Sequence, residues 1–213
     1  MTIRRGESWG ERRVLPAGLP TASSDAAAGH WYGSAPPGAA ATGLVLSGGD
    51  LARTLGSVRA PVVGEEASTA PVDVLAVAAG SGESCSAVAH VVVRAGTGGR
   101  GWWKSRGRIV VVMNAQFLDD ADPTPRCHPS DGRADVLDVS AALGWRARRQ
   151  VRTRLRTGSH LPHPSLTVSS APLHAVEYTG PCTVLVDGEV WLRRRDGVRL
   201  AIRVVPDALT VWW

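Results

Sequence analysis

With 213 residues, 44% of them hydrophobic and 20% charged, the chain has room for one large domain, or for a core and a smaller lobe, and is too apolar to be disordered. Its net charge of +5 points to acidic partners (phosphates, nucleic acid or an anionic lipid surface), although Lys104 is the only lysine and the arginines read equally as GC-rich codon bias. Cys85, Cys127 and Cys182 suggest neither a disulfide framework nor a zinc ribbon, Met1-Thr2-Ile3-Arg4-Arg5 leads into charge, and no apolar run spans a bilayer, so a reduced cytoplasmic protein is expected.

Residues 1–42 are rich in Ala, Gly, Pro and Ser, and Ala35-Pro36-Pro37-Gly38-Ala39-Ala40-Ala41 is the clearest low-complexity run. That segment reads as mostly irregular, with one short strand near Arg13 to Leu15. Order is expected from Gly43-Leu44-Val45-Leu46, a buried-strand pattern that runs through Ser47-Gly48-Gly49 into a short helix capped by Asp50 and ended by Gly56. Strand, glycine turn and helix N-terminus together make an anion cradle at Ser47, Gly48, Gly49 and Asp50. A plain strand-to-helix turn accounts for the same residues.

Pro71 to Ala78 and Ala87 to Arg94 read as strands joined at Gly80-Ser81-Gly82, and Gly96 to Gly101 as a flexible break. Arg108 to Phe117 is the strongest strand pattern, followed by an acidic loop from Asp119 to Ser130 and a strand from Ala134 to Val139. Trp145 to Arg156 is the one convincing helix, with Ala147, Val151 and Leu155 as a narrow apolar stripe and Gly158 as its stop. Its arginines read as a solvated face, or else as a phosphate- or lipid-facing patch. Beyond Ser165, strands repeat with turns at Thr179-Gly180-Pro181, Asp187-Gly188 and Asp196-Gly197, and Val198 to Val205 and Leu209 to Trp213 close the set. Such succession argues for an antiparallel sandwich in the C-terminal half.

Three motifs place acids or imidazoles beside glycines: Asp131-Gly132-Arg133-Ala134-Asp135-Val136, Gly158-Ser159-His160-Leu161-Pro162-His163-Pro164 and Val186-Asp187-Gly188-Glu189. With Asn114, with Ser47-Gly48-Gly49-Asp50-Leu51-Ala52-Arg53-Thr54-Leu55-Gly56 and with Pro71-Val72-Asp73-Val74, they stand in the order found in the diacylglycerol kinase superfamily. The chain resembles that family, which includes sphingosine kinases and YegS-like lipid kinases, mainly in its C-terminal domain.

The resemblance implies a mainly β (α+β) fold: an irregular segment over residues 1–42, a remnant of the α/β nucleotide lobe over 43–70, and a sandwich-like domain over 71–213. It implies an ATP- and Mg²⁺-dependent phosphotransferase acting on a lipid hydroxyl, with Glu189 as base beside Asp187. It places a structural Mg²⁺ on the Asp131 carboxylate and the main-chain carbonyls of His128 and Arg133, since a hard cation takes oxygen ligands. Ser47 to Asp50 would face the ATP phosphates.

Several departures set a second reading beside the first. Gly49 replaces the family's Asn, and Asp119-Asp120-Ala121 replaces its Gly-Gly-Gly. The Gly-Gly-Asp-Gly-Thr loop of the nucleotide lobe is not recognisable upstream, and Gly48-Gly49-Asp50 only imitates its first letters. A non-catalytic descendant that binds a lipid or a protein fits these losses, as does a homodimer or a partner chain that supplies the lobe. The implied location is cytoplasmic, peripheral at the membrane, with no nucleic acid partner. His160-Leu161-Pro162-His163 with Cys127-His128 has metal-like spacing, but its prolines favour imidazoles that buttress a cleft or satisfy buried carbonyls. Trp102-Trp103 beside Lys104, and Trp212-Trp213, read either as interfacial anchors or as residues closing a small core.

Overall fold

Valine-rich runs with a period of two build two sheets, as the alternation requires. The computed structural model describes residues 9–98, 101–104 and 106–213; Met1-Thr2-Ile3-Arg4-Arg5 and the Gly99-Arg100 part of the glycine-rich link lie outside the described residues. The chain opens with β1 (Glu11–Val14), β2 (Thr21–Ala22), α1 (Asp25–Ser34), α2 (Ala39–Thr42), β3 (Leu44–Leu46) and α3 (Asp50–Thr54). Then come β4 (Glu66–Ala79), β5 (Ser84–Ala87), β6 (His90–Ala95), a 3₁₀ turn at Trp102–Lys104, β7 (Ile109–Met113), β8 (Ala134–Val139) and α4 (Trp145–Leu155). Five strands finish it: β9 (Leu166–Ala171), β10 (Leu173–Thr179), β11 (Cys182–Val186), β12 (Glu189–Arg194) and β13 (Gly197–Trp212).

The first sheet runs β1-β4-β13-β3-β2, with β5 added to β4 and β10 to β13. Only its β13-β3-β2 end is parallel. The second sheet, β12-β11-β6-β7-β8-β9, is antiparallel throughout. Leu75, Val77 and Ile202 of the first sheet meet Val91, Val93, Val110 and Val112 of the second, forming the core of a sandwich. Alternate residues of the second sheet, Val92, Val111 and Leu137, face outward under α4 and the 3₁₀ turn. Leu44, Leu46, Leu51, Val72, Val74 and Leu209 form a further cluster at the parallel end. The expected mainly β, sandwich-like fold with a small α/β part is therefore the observed one.

Three expectations are corrected. The described part of the first segment, residues 9–42, is not mostly irregular, because α1 forms there: Ser24 Oγ accepts from the Ala27 amide at its start, and Ala26, Ala28 and Gly29 are buried. Nor is there a break between residues 70 and 71, because β4 runs through it, pairing with β13 from Thr69↔Trp212 to Ala79↔Leu200. The two last predicted strands are one, β13, with a bulge between Val205 and Leu209 where Asp207 takes φ 52°. Of the two readings of the tryptophans, burial selects core closure. Trp102 and Trp103 are buried edge-to-face, and Trp213 stacks on Trp9.

Candidate functional site

Ser24 begins α1, but the next side chain serves another helix. Asp25 is buried, and its carboxylate accepts from the amides of Asp50 at 2.6 Å and Leu51 at 3.0 Å. It therefore occupies the α3 N-terminus, where two amides have no helical partner of their own. The glycine pair before α3 is what lets it in. A Cβ on Gly48 would lie 2.7 Å from the Ser23 carbonyl oxygen, and one on Gly49 would overlap the Asp25 carboxylate. Ser47 Oγ donates to the Ala22 carbonyl at 3.1 Å. The expected anion cradle thus holds an internal carboxylate.

Asp50 points the other way. Its Oδ2 accepts from the Asp119 amide at 3.0 Å and lies 3.3 Å from His90 Nε2. His90, buried at the start of β6, completes a group with Asp25 and Asp50 whose ligand atoms all lie within 4.8 Å of one another. Burial pushes the Asp25 carboxyl up to about 6 against the pull of its two amides. For Asp50 burial acts upward too, but the His90 hydrogen bond and the Asp119 amide outweigh it and hold the carboxyl below its ordinary range. At His90 burial opposes the charge, yet Asp50, Asp187 and Asp25 together raise the imidazole above its ordinary value.

The β11–β12 hairpin reaches the same junction. Asp187 and Gly188 turn it at φ 49° and 85°, the left-handed pair a tight hairpin needs. The buried Asp187 carboxylate accepts from the amides of Val88, Ala89 and His90 at 2.8, 2.9 and 3.0 Å, fixing the corner between β5 and β6. α1 crosses here at Gly29, where a Cβ would stand 2.8 Å from Asp187 Oδ2. Two residues on, the exposed Glu189 places Oε2 3.8 Å from Nε2 of His30 on α1. That pair borders a recess of ≈ 140 Å³, which shares Gly29, His30, Cys85 and Ser86 with a groove of ≈ 890 Å³ between α1 and the first sheet.

The expected metal loop lies elsewhere. Asp131 Oδ1 accepts from the Arg133 amide at 2.9 Å and borders a separate groove of ≈ 620 Å³ with Thr124, Pro125 and Gly158. His128 accepts from the Ser130 amide at 3.2 Å, and the Arg133 guanidinium is spent on Ser170. His160 Nε2 meets the Pro123 carbonyl at 3.0 Å, a buried carbonyl satisfied. The structure thus gathers Asp50, Asp187 and Glu189 around α1 and leaves Asp131 on another groove, with His128 and Arg133 on the same loop. Asp25, His30 and His90 were not read from the sequence. The available signal was Ser23-Ser24-Asp25, a cap pair set in an alanine tract.

Neither a family model nor any curated protein matches the chain. Two solved structures from Bacillus anthracis str. Sterne, each of a protein assigned as a diacylglycerol kinase, do match: 14% identity, 79% of this chain and 68% of that chain covered, TM-scores 0.54 and 0.56. The chain shares the fold of these two structures. Within that shared fold, the junction stands where the parallel strands β2 and β3 pass into α1 and α3, at the C-terminal ends of parallel strands where ligands of α/β sheets gather.

Proposed function

We propose that this junction is a phosphoryl-transfer centre acting on a lipid hydroxyl with ATP and Mg²⁺, in which Glu189 takes the hydroxyl proton. One observation carries the reading: an exposed carboxylate, paired at 3.8 Å with His30, stands over a recess also bordered by Asp187, whose charge reaches Asp25 and His90 of the buried acid–imidazole group. Phosphoryl transfer asks the protein mainly for positioning and for an acceptor of the hydroxyl proton. Glu189 supplies the acceptor, because its carboxylate is accessible and, among the described residues, no amide saturates it. Asp187 is the positioning residue that fixes the turn beneath it.

The donor set fits a divalent cation. Asp25 and Asp50 offer carboxylate oxygens, and His90 orients Asp50 by hydrogen bonding. A cation bound there would neutralise phosphate charge next to the hydroxyl. Asp131 is the alternative carboxylate, apart from Glu189 on its own groove. A second reading, a lipid- or protein-binding protein without catalysis, draws on the α3 N-terminus, whose amides Asp25 already satisfies.

Binding of a fluorescent ATP analogue to the purified chain with and without Mg²⁺ separates the two. The expected result is Mg²⁺-dependent binding, together with phosphorylation of diacylglycerol in mixed vesicles that falls about 100-fold in Glu189→Gln. No nucleotide binding would leave the second reading in place, and full activity in Glu189→Gln would remove Glu189 as the proton acceptor.

A further inference from the structure

α4 and its C-cap carry Arg146, Arg148, Arg149, Arg152, Arg154 and Arg156 and not one carboxylate. Val151 and Leu155 bury against the outer face of the second sheet, and Arg148 beside them donates to the carbonyls of Arg106 and Gly107. Arg156 is paired with Asp120. Among the described residues Arg146, Arg149, Arg152 and Arg154 form no ion pair, although Asp119 and Asp120 border a small recess with Arg152 and the Asp119 charge reaches it. Unlike the tryptophans that close the core, Trp145 is 63% exposed, with the Arg146 guanidinium 5.2 Å from its ring centre.

Trp145, Arg149 and Arg152 recur at helical spacing, so they share one flank of α4. That flank faces Trp103 and Arg106 across a groove of ≈ 760 Å³, floored by Leu143 and Arg148. Unpaired guanidinium groups repel one another, and an indole in water leaves apolar area unburied. A surface offering phosphates above an apolar layer relieves both at once. Guanidinium forks bind phosphate oxygens in pairs, which ammonium groups do not.

We propose that this flank of α4 docks the protein on an anionic phospholipid bilayer, with lipid phosphates in the Arg106–Arg149–Arg152 groove and Trp145 in the headgroup layer. The apolar share of the groove, Trp103, Leu143 and Trp145, favours a bilayer over a nucleic acid backbone. The inference does not rest on phosphoryl transfer, because the α4 groove is lined by none of the residues of the Glu189 recess, which lies among α1, β5 and the β11–β12 hairpin.

Flotation with phosphatidylcholine vesicles, with and without about 30 mol% phosphatidylglycerol, tests it. The full chain should float only with the anionic vesicles, and about 0.5 M NaCl should release it. Arg149→Glu/Arg152→Glu should weaken retention about tenfold or more and Trp145→Ala should weaken it too, both without a change in melting temperature, since these side chains are exposed. Equal retention on neutral vesicles, or reversed-charge protein that floats like wild type, would overturn the proposal. So would a DNA or RNA duplex that binds the groove and loses affinity in Arg149→Glu/Arg152→Glu while vesicles do not bind.

Discussion

Asp187 and Glu189 sit two residues apart on one turn, and their surroundings give them opposite work. The Asp187 carboxylate is closed in by three amides of a neighbouring corner, so its removal would leave the amides of Val88, Ala89 and His90 buried without an acceptor. Each such loss costs on the order of 1–3 kcal/mol, partly relieved by relaxation. Asp187→Ala should therefore lower unfolding free energy by about 3 kcal/mol in urea titrations. Glu189 is exposed and its carboxylate pairs, among the described residues, with His30 alone, so Glu189→Gln should leave the unfolding free energy in urea within about 0.5 kcal/mol of wild type. Equal stability losses in the two variants would show that the turn, rather than the amide trio, holds the corner. The contrast also keeps the catalytic test clean: a loss of activity in Glu189→Gln cannot then be a loss of fold.

Among the elements, α1 shows most clearly what a sequence hides. Strands β7 and β8 and helix α4 were legible because their apolar residues repeat at the right period and can be counted. The buried face of α1 is Ala26, Ala28 and Gly29, which no hydrophobic pattern distinguishes from a loose alanine tract. Likewise, Ala87 to Arg94 reads as one strand, yet Val88 and Ala89 turn a corner between sheets because Asp187, almost a hundred residues away, takes their amides. The site follows the same rule. Asp50, Asp187 and Glu189 belong to motifs that can be read locally, whereas Asp25 and His90 matter only through partners 25 and 40 residues along the chain. Gly29 tests this account of α1. Alanine at a helix interior gains about 1 kcal/mol in propensity. Here its Cβ would press at 2.8 Å on Asp187 Oδ2, an atom held by a main-chain amide that cannot swing aside. Gly29→Ala should therefore destabilise by about 1–2 kcal/mol in thermal unfolding, the opposite of the propensity sign. Stabilisation would mean that α1 stands farther from the hairpin.

Across the whole molecule, the longest strands, β4 and β13, run from the sandwich into the parallel end, and a buried carboxylate pins them where β13 bulges. Asp73 of β4 accepts from the Asp207 amide at the bulge at 2.9 Å and from the Gly132 amide of the loop before β8 at 2.7 Å. Burial pushes its carboxyl up to about 6, against the pull of the Gly132 amide and of the neighbouring His128. A carboxyl raised in the folded state binds more protons there than in the unfolded chain, so its contribution to stability is present below about pH 4 and is lost as pH rises towards 6. His128, held below its ordinary range by burial, acts in the opposite sense, and the Asp131 carboxyl, raised by burial, faces the same loop. Asp25, also pushed up to about 6, acts in the same sense as Asp73. Wild type and Asp73→Asn share all three groups, so the difference between them isolates Asp73. That difference, measured by urea unfolding, should favour wild type increasingly as pH falls from 7 to 4, by on the order of 2 kcal/mol across the interval. Above pH 7 it should be flat. A difference that instead grew towards neutral pH would mean that the two amides hold Asp73 as the anion, and that the join between sandwich and parallel end is a charge-assisted clamp rather than a neutral one.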